Sequence, residues 1–190
     1  MPRQTCPTCQ RPPNVCYCGA LVHIASRIRV LIIQHPLEQR HPFNTGRMAN
    51  LCLDNSELVV AEQLNDAQLA SLQVPGSALL YPSLDWLPRV QQIVAGDAAA
   101  QKLKQLVVID ASWRKSKKML HLQPLLQRLP RVSFEGALNS NYQVRRSSLP
   151  NSLSTIESIV MALAQLEPEQ DFAPLLLPFE KMIALQRSSF

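Results

Sequence analysis

An α/β fold built on a mostly parallel sheet, with helices on both of its faces, is predicted by three features of the 190-residue sequence. Short apolar runs such as Leu106-Val107-Val108-Ile109, three of them β-branched, lack the alternation of half-exposed strands and read as strands buried on both faces. Such runs stop abruptly at polar residues (Asp110 in one case, Gln34-His35 in another), where an open α/β sheet places its ligand crevice. Between them lie stretches with helical spacing and helix-capping residues. A fourth feature stands apart: four cysteines crowd residues 6–18 and predict a small metal knuckle ahead of the sheet.

Composition bounds the alternatives. Hydrophobic residues make up 46% and charged ones 17%, which fits a globular chain of one sizeable core and excludes a disordered one. No apolar run approaches the ~20 residues that cross a bilayer, so no membrane is expected as a partner. The start, Met1-Pro2-Arg3-Gln4-Thr5-Cys6, has no hydrophobic signal region. A cytoplasmic protein with reduced thiols is the expectation. Net charge is +5, unevenly spread. Residues 1–47 hold six Arg against one acid, and residues 102–146 hold ten Lys/Arg against two acids. Residues 48–101 and 147–190 are acidic on balance. Two basic blocks are a footprint for a phosphate backbone, though charge alone decides little.

In chain order, Cys6, Cys9, Cys16 and Cys18 give C-x2-C-x6-C-x-C, enough thiolate for one closed tetrahedral site. Zn²⁺ in a structural role is expected, with residues 1–24 as the knuckle and 25–190 as the main domain. Arg27 to Ile33 reads as the first strand, ending in Gln34-His35-Pro36-Leu37-Glu38. His35 is a candidate base or ligand group, or a turn histidine bonded to backbone. Asn44-Thr45-Gly46-Arg47 opens a helix through Leu53, with Asn44 and Thr45 as caps or as ligand groups. Cys52 within it reads as a small buried hydrophobe. Leu58-Val59-Val60 is a strand, 65–72 a short helix, Ser77 to Tyr81 a strand, and 85–103 a mixed stretch with weak helical character. The central strand 106–109 follows. Asp110 then serves either chemistry or the cap of the next helix. That helix, from Trp113 to Leu122, carries Arg114, Lys115, Lys117 and Lys118, before Pro124 interrupts it. Arg131 to Phe134 reads as the last strand.

Residues 135–150 form a polar loop holding Tyr142, Arg145 and Arg146, side chains suited to stacking and to bidentate anion contacts. Ser154-Thr155-Ile156-Glu157 fits a capping box, which explains Ser154 and Glu157 without any function. A last helix spans about 171–188, with Pro178 liable to break it in two. The five glycines never cluster, so there is no dinucleotide fingerprint, no P-loop and no nucleophile elbow.

Collected together, these residues resemble the DTW-domain family, named for an Asp-x-Thr/Ser-Trp signature. Here the signature is Asp110-Ala111-Ser112-Trp113, with serine where threonine is usual, a change that keeps a hydroxyl. The cysteine knuckle, His35-Pro36-x-Glu38, Asn44-Thr45, Tyr142-x-x-Arg145 and Ser154-Thr155-x-Glu157 extend the likeness from residue 6 to 157. The resemblance implies a tRNA-uridine aminocarboxypropyltransferase. Such enzymes move the 3-amino-3-carboxypropyl group of S-adenosylmethionine to N3 of a tRNA uridine, of the variable loop in the expected case, and release methylthioadenosine. It also implies a SPOUT-like sheet with a C-terminal knot.

On that reading Asp110 is the expected base, with Ser112 and Trp113 beside it. His35, Glu38, Asn44, Thr45, Tyr142, Arg145, Ser154, Thr155 and Glu157 line the cofactor crevice, with Arg145 on the methionyl carboxylate and Glu38 on its amino group. Arg114, Lys115, Lys117, Lys118 and Arg146 hold RNA. The oligomeric state is open, with a monomer favoured. The rivals are a SPOUT-type methyltransferase using the same donor and a zinc-knuckle RNA-binding protein without turnover.

Overall fold

A computed structural model describes residues 4–133 and 153–187. Six strands, β1 (Arg29–Gln34), β2 (Ser56–Val60), β3 (Ser77–Leu80), β4 (Gln92–Ile93), β5 (Gln105–Asp110) and β6 (Arg131–Val132), form one sheet in the order β2-β1-β5-β3-β6-β4. Every pairing is parallel. The helices are α1 (Thr45–Cys52), α2 (Asp66–Ala70), α3 (Ala98–Gln101), α4 (Trp113–Leu122), α5 (Pro124–Arg128), α6 (Thr155–Leu166) and α7 (Leu177–Arg187).

Successive strand side chains point to opposite faces, and both faces are covered. Val30, Ile32, Leu106 and Val108 pack with Met48 of α1, Ile159 and Leu163 of α6 and Met182 of α7. Leu31, Ile33 and Val107 pack with Met119 and Leu120 of α4 and Leu126 of α5. Cys9 and Tyr17, within the cysteine segment, are buried in the first of these cores, and α7 packs on that segment's turns. The predicted fold class and its helices on both faces are therefore found.

The central pair of strands matters most. β1 and β5 lie side by side with Gln34 in register with Asp110. After β1 the chain crosses to one face as α1, and after β5 it crosses to the other as α4. Adjacent strands whose connections part in this way open a crevice at their carboxyl ends. Gln34 and Asp110 stand in its floor.

Several boundaries shift. Asp110 is the last residue of β5, not the residue after it. The stretch 85–103 hides a strand, β4, too short to show periodicity, as well as the one-turn α3. The last helix falls into two pieces: a 3-10 turn spans Ala173–Leu176, with Pro174 in its first turn, and α7 follows from Leu177, with Pro178 in its first turn. Each proline sits where its missing N–H costs nothing. Phe134 and the loop 135–150, with Tyr142, Arg145 and Arg146, lie outside the described residues. The C-terminal knot is not shown by the described residues.

Candidate active site

Four segments converge on the Asp110 carboxyl group. β5 delivers the aspartate, 7% exposed. From β1, Gln34 Nε2 donates to Asp110 Oδ2 at 2.7 Å and to Asn44 Oδ1 at 2.7 Å. From the first turn of α6, Thr155 Oγ1 donates to Asp110 Oδ1 at 2.5 Å. From α1 comes Gly46, whose lack of a side chain is required: a Cβ there would overlap Asp110 Oδ2 and its carboxyl carbon. The carboxyl thus sits against the first turns of two helices, where partial positive charge concentrates.

Burial dominates its electrostatics. Removal from water holds the Asp110 carboxyl above the usual aspartate range, against the bonds from Gln34 and Thr155 that favour its charged form. Glu38 nearby pushes the same way as burial, and His41 pushes back. Asp110 does not cap α4. Ser112 holds the N-cap position, with no side-chain cap bond. Gln34 is fully buried, and its Oε1 has no hydrogen-bond partner among the described residues. A buried acceptor without a partner is uncommon, and this one stands in the floor of the crevice.

The remaining candidates divide by what already holds them. Asn44 caps α1, accepting from the Arg47 N–H at 2.9 Å while bonding Gln34, so the capping and site readings coincide. Thr45 is buried in the next position. His35 is a turn histidine: its Nδ1 accepts from the Leu37 N–H at 3.1 Å, and its Nε2 faces Glu62 Oε1 at 3.3 Å. With Nδ1 accepting, Nε2 carries the proton and donates to Glu62. Glu38 forms a 2.8 Å ion pair with Lys115, and Glu62 one with Lys118 at 2.8 Å. Arg114 and Lys117 make no ion pair among the described residues. Ser154 and Glu157 form the capping box at the start of α6, with Ser154 Oγ 2.6 Å from Glu157 Oε2. Their cap fixes the first turn of α6, the turn that carries Thr155.

Trp113, the first residue of α4 and three positions after Asp110, is 56% exposed and meets Tyr81 edge-on, ring centroids 5.6 Å apart. Leu37, Phe43 and Leu153 are likewise exposed, on segments that lead to the same end of the sheet. A buried acid behind an exposed aromatic and aliphatic rim can seat a flat or apolar ligand above a proton acceptor. A separate cavity of about 350 Å³ lies at the opposite end of the sheet, between Arg27, Ala100 and Gln165. Its guanidinium is already committed to the carbonyls of Leu103 and Leu166.

Sequence reasoning missed Gln34 and Gly46. Gln34 reads as the end of an apolar run, and the strand register alone reveals its role. Gly46 directly follows Asn44-Thr45, and only the packing of α1 on β5 shows why no side chain is tolerated there.

The cysteine segment is a second, separate constellation. Sγ atoms of Cys6, Cys9, Cys16 and Cys18 all lie within 4.8 Å of one another. All four are free thiols, and together they could hold a metal ion. Gln10, at φ 58°, turns the chain after the first pair, and the Cys6 N–H is bonded to Arg11 O at 2.7 Å. The backbone N–H groups of Cys9 and then Thr8 draw the Cys6 thiol down to about 6, whereas burial pushes the Cys18 thiol up. Burial pushes the Cys9 thiol up. No other group of three or more His, Cys, Asp or Glu among the described residues is placed to bind a metal.

The DTW domain model matches residues 3–187. A tRNA-uridine aminocarboxypropyltransferase 2 of Drosophila melanogaster is 33% identical over 174 residues, covering 87% of this chain and 67% of the relative. The mouse protein of that name is 25% identical over 193 residues, covering 97% of this chain and 64% of its own. An Arabidopsis thaliana tRNA-uridine aminocarboxypropyltransferase A is 24% identical over 195 residues, covering 88% of this chain and 74% of its own. The chain thus spans about two thirds of the length of the curated relatives it matches. No solved structure matches it. With the signature Asp110-Ala111-Ser112-Trp113 placed at the sheet's crevice and the match running almost end to end, the chain belongs to the DTW-domain family.

Proposed function

We propose that this protein is a tRNA-uridine aminocarboxypropyltransferase, acting through Asp110 at the carboxyl end of β5. The observation that carries the reading is the buried Asp110 carboxyl, oriented from both sides by Gln34 and Thr155 and held above its ordinary range by burial. The relatives' names agree with it.

The donor, S-adenosylmethionine, supplies when bound an activated carbon next to a sulfonium, with methylthioadenosine as leaving group. The rest falls to the protein. A uridine N3–H is weakly acidic, and its proton must leave as the N3–carbon bond forms and the carbon–sulfur bond breaks. Asp110 accepts that proton at one carboxyl oxygen. A raised carboxyl pKa strengthens it as a base toward such an acid. Gln34 and Thr155 keep the carboxyl from turning, and placement in line is worth up to ~7–11 kcal/mol in favourable cases. Trp113 offers its exposed face to the extruded uracil or to the adenine of the donor. The guanidinium of Arg145 is the group suited to clamp the methionyl carboxylate. Glu38 would meet the donor's amino group only by sharing its charge with Lys115. Arg114, Lys117 and Arg146 take RNA phosphate. The thiolate set suits Zn²⁺, and with four protein ligands and no open position its role would be structural.

Mass spectrometry of tRNA nucleosides after incubation with S-adenosylmethionine tests the reading. Aminocarboxypropyluridine together with methylthioadenosine supports it. Methylated nucleoside together with S-adenosylhomocysteine would replace it with the methyltransferase reading.

A further inference from the structure

The proposed function accounts for one end of α4 and leaves the other unexplained. There, Trp86, on the segment between β3 and β4, stacks on His121 with ring centroids 4.5 Å apart and planes 25° from parallel. Trp86 is 38% exposed and His121 is exposed as well. A stacked ring pair left in water contributes little to a core. Trp113, Lys117 and His121 follow one another at four-residue spacing and so line one face of α4. Arg114, three residues before Lys117, borders the same face. At 1.5 Å per residue this stripe is about 12 Å long. Lys115 and Lys118, off the stripe, are tied to Glu38 and Glu62, whereas Arg114 and Lys117 have no ion pair among the described residues. Asp85 and Arg89, both exposed, flank Trp86 with opposite charges.

We infer that the face of α4 running from Trp113 through Lys117 to the Trp86–His121 stack is a docking track for single-stranded RNA, leading its nucleotides toward Asp110. Exposed rings at both ends, with cations free of ion pairs between them, match the alternation of bases and phosphates along one strand. A duplex fits poorly, because its base faces are hidden in the stack. The inference rests on the proposed RNA substrate and adds the surface that grips the strand beyond the reacting nucleotide.

The test uses the full chain, a tRNA transcript, and three competitors: a short oligouridylate, a fully paired RNA hairpin and a polyglutamate of matched charge. Trp86→Leu and His121→Leu are each expected to weaken transcript binding about tenfold, and Trp86→Phe to restore most of it. Oligouridylate should displace the transcript from the parent better than the hairpin does, and should lose that advantage in Trp86→Leu. Melting temperatures separate a lost contact from a lost fold. Parent-like affinity in a folded Trp86→Leu, or equal displacement by a polyglutamate of the same charge, overturns the track. Methylthioadenosine release by the parent is read in parallel. Release with unchanged affinity in Trp86→Leu sinks the track alone, whereas no release with weakened affinity upholds the track and sinks the transferase reading.

Discussion

The cysteine knuckle and the Asp110 crevice are built by opposite strategies. The knuckle's four sulfurs come from thirteen consecutive residues and meet through local turns. The crevice draws Gln34, Gly46, Asp110 and Thr155 from four segments, with Gln34 and Asp110 76 residues apart in the chain. A local site needs little besides its ligands and an ion. A distributed site needs the sheet register, the entry angle of α1 and the cap of α6 all at once. The first is robust in sequence because its four sulfurs are chain neighbours; the second is fragile there because it depends on four distant segments.

The largest effect is expected at the knuckle. The purified protein should carry one Zn²⁺ per chain, and strong chelation or Cys9→Ser should unfold the segment and loosen α7, which shares its core. Structural zinc binding is worth about 10–16 kcal/mol in peptides that fold around it, so the drop in melting temperature should be large. A metal-free protein with an unchanged melt would break the comparison at its first limb.

Gly46→Ala probes the crevice without replacing any of its polar groups. Its Cβ would drive into Asp110 Oδ2. A destabilisation of about 1–3 kcal/mol is expected, together with loss of tRNA modification and normal zinc content. Parent-like denaturation and modification would mean that α1 does not press on the carboxyl.

Gln34→Leu should be comparable or slightly smaller, since it leaves Asp110 Oδ2 and Asn44 Oδ1 without their shared donor. That bond favours the ionised carboxyl, so its loss should move the acid limb of the pH–rate profile to higher pH. An unmoved acid limb would deny Gln34 its part. The smallest effect is expected from Ser154→Ala, which removes half of the capping box at about 1 kcal/mol. A loss of activity far beyond that stability change would give Ser154 a direct place against the ligand.

The same contrast sets what the sequence discloses. The thiol spacing names its site because chain neighbours are space neighbours there. The parallel sheet and its two covered faces were legible in the uninterrupted apolar runs, and Asp110 in the polar residue that ends one of them. Gln34 was not, because its meaning depends on which strand lies beside β1. β4 escaped because two residues carry no period. His35 shows the converse: the sequence leaves it open as base, ligand group or turn histidine, and its ring nitrogens fit the turn reading, holding a turn and meeting Glu62.

Asp110→Asn separates chemistry from scaffold most directly. An asparagine fits the same bonds, its oxygen accepting from Gln34 and its amide donating to the Thr155 hydroxyl, which can turn to receive it. A carboxyl held above its ordinary range binds a proton more tightly folded than unfolded, so the parent loses stability as pH rises from the ordinary aspartate range through the folded value. The asparagine variant escapes that loss. At neutral pH it should therefore melt no lower than the parent, while aminocarboxypropyluridine formation falls at least about a hundredfold. A folded Asp110→Asn protein that modifies tRNA at a rate near the parent's would contradict the account.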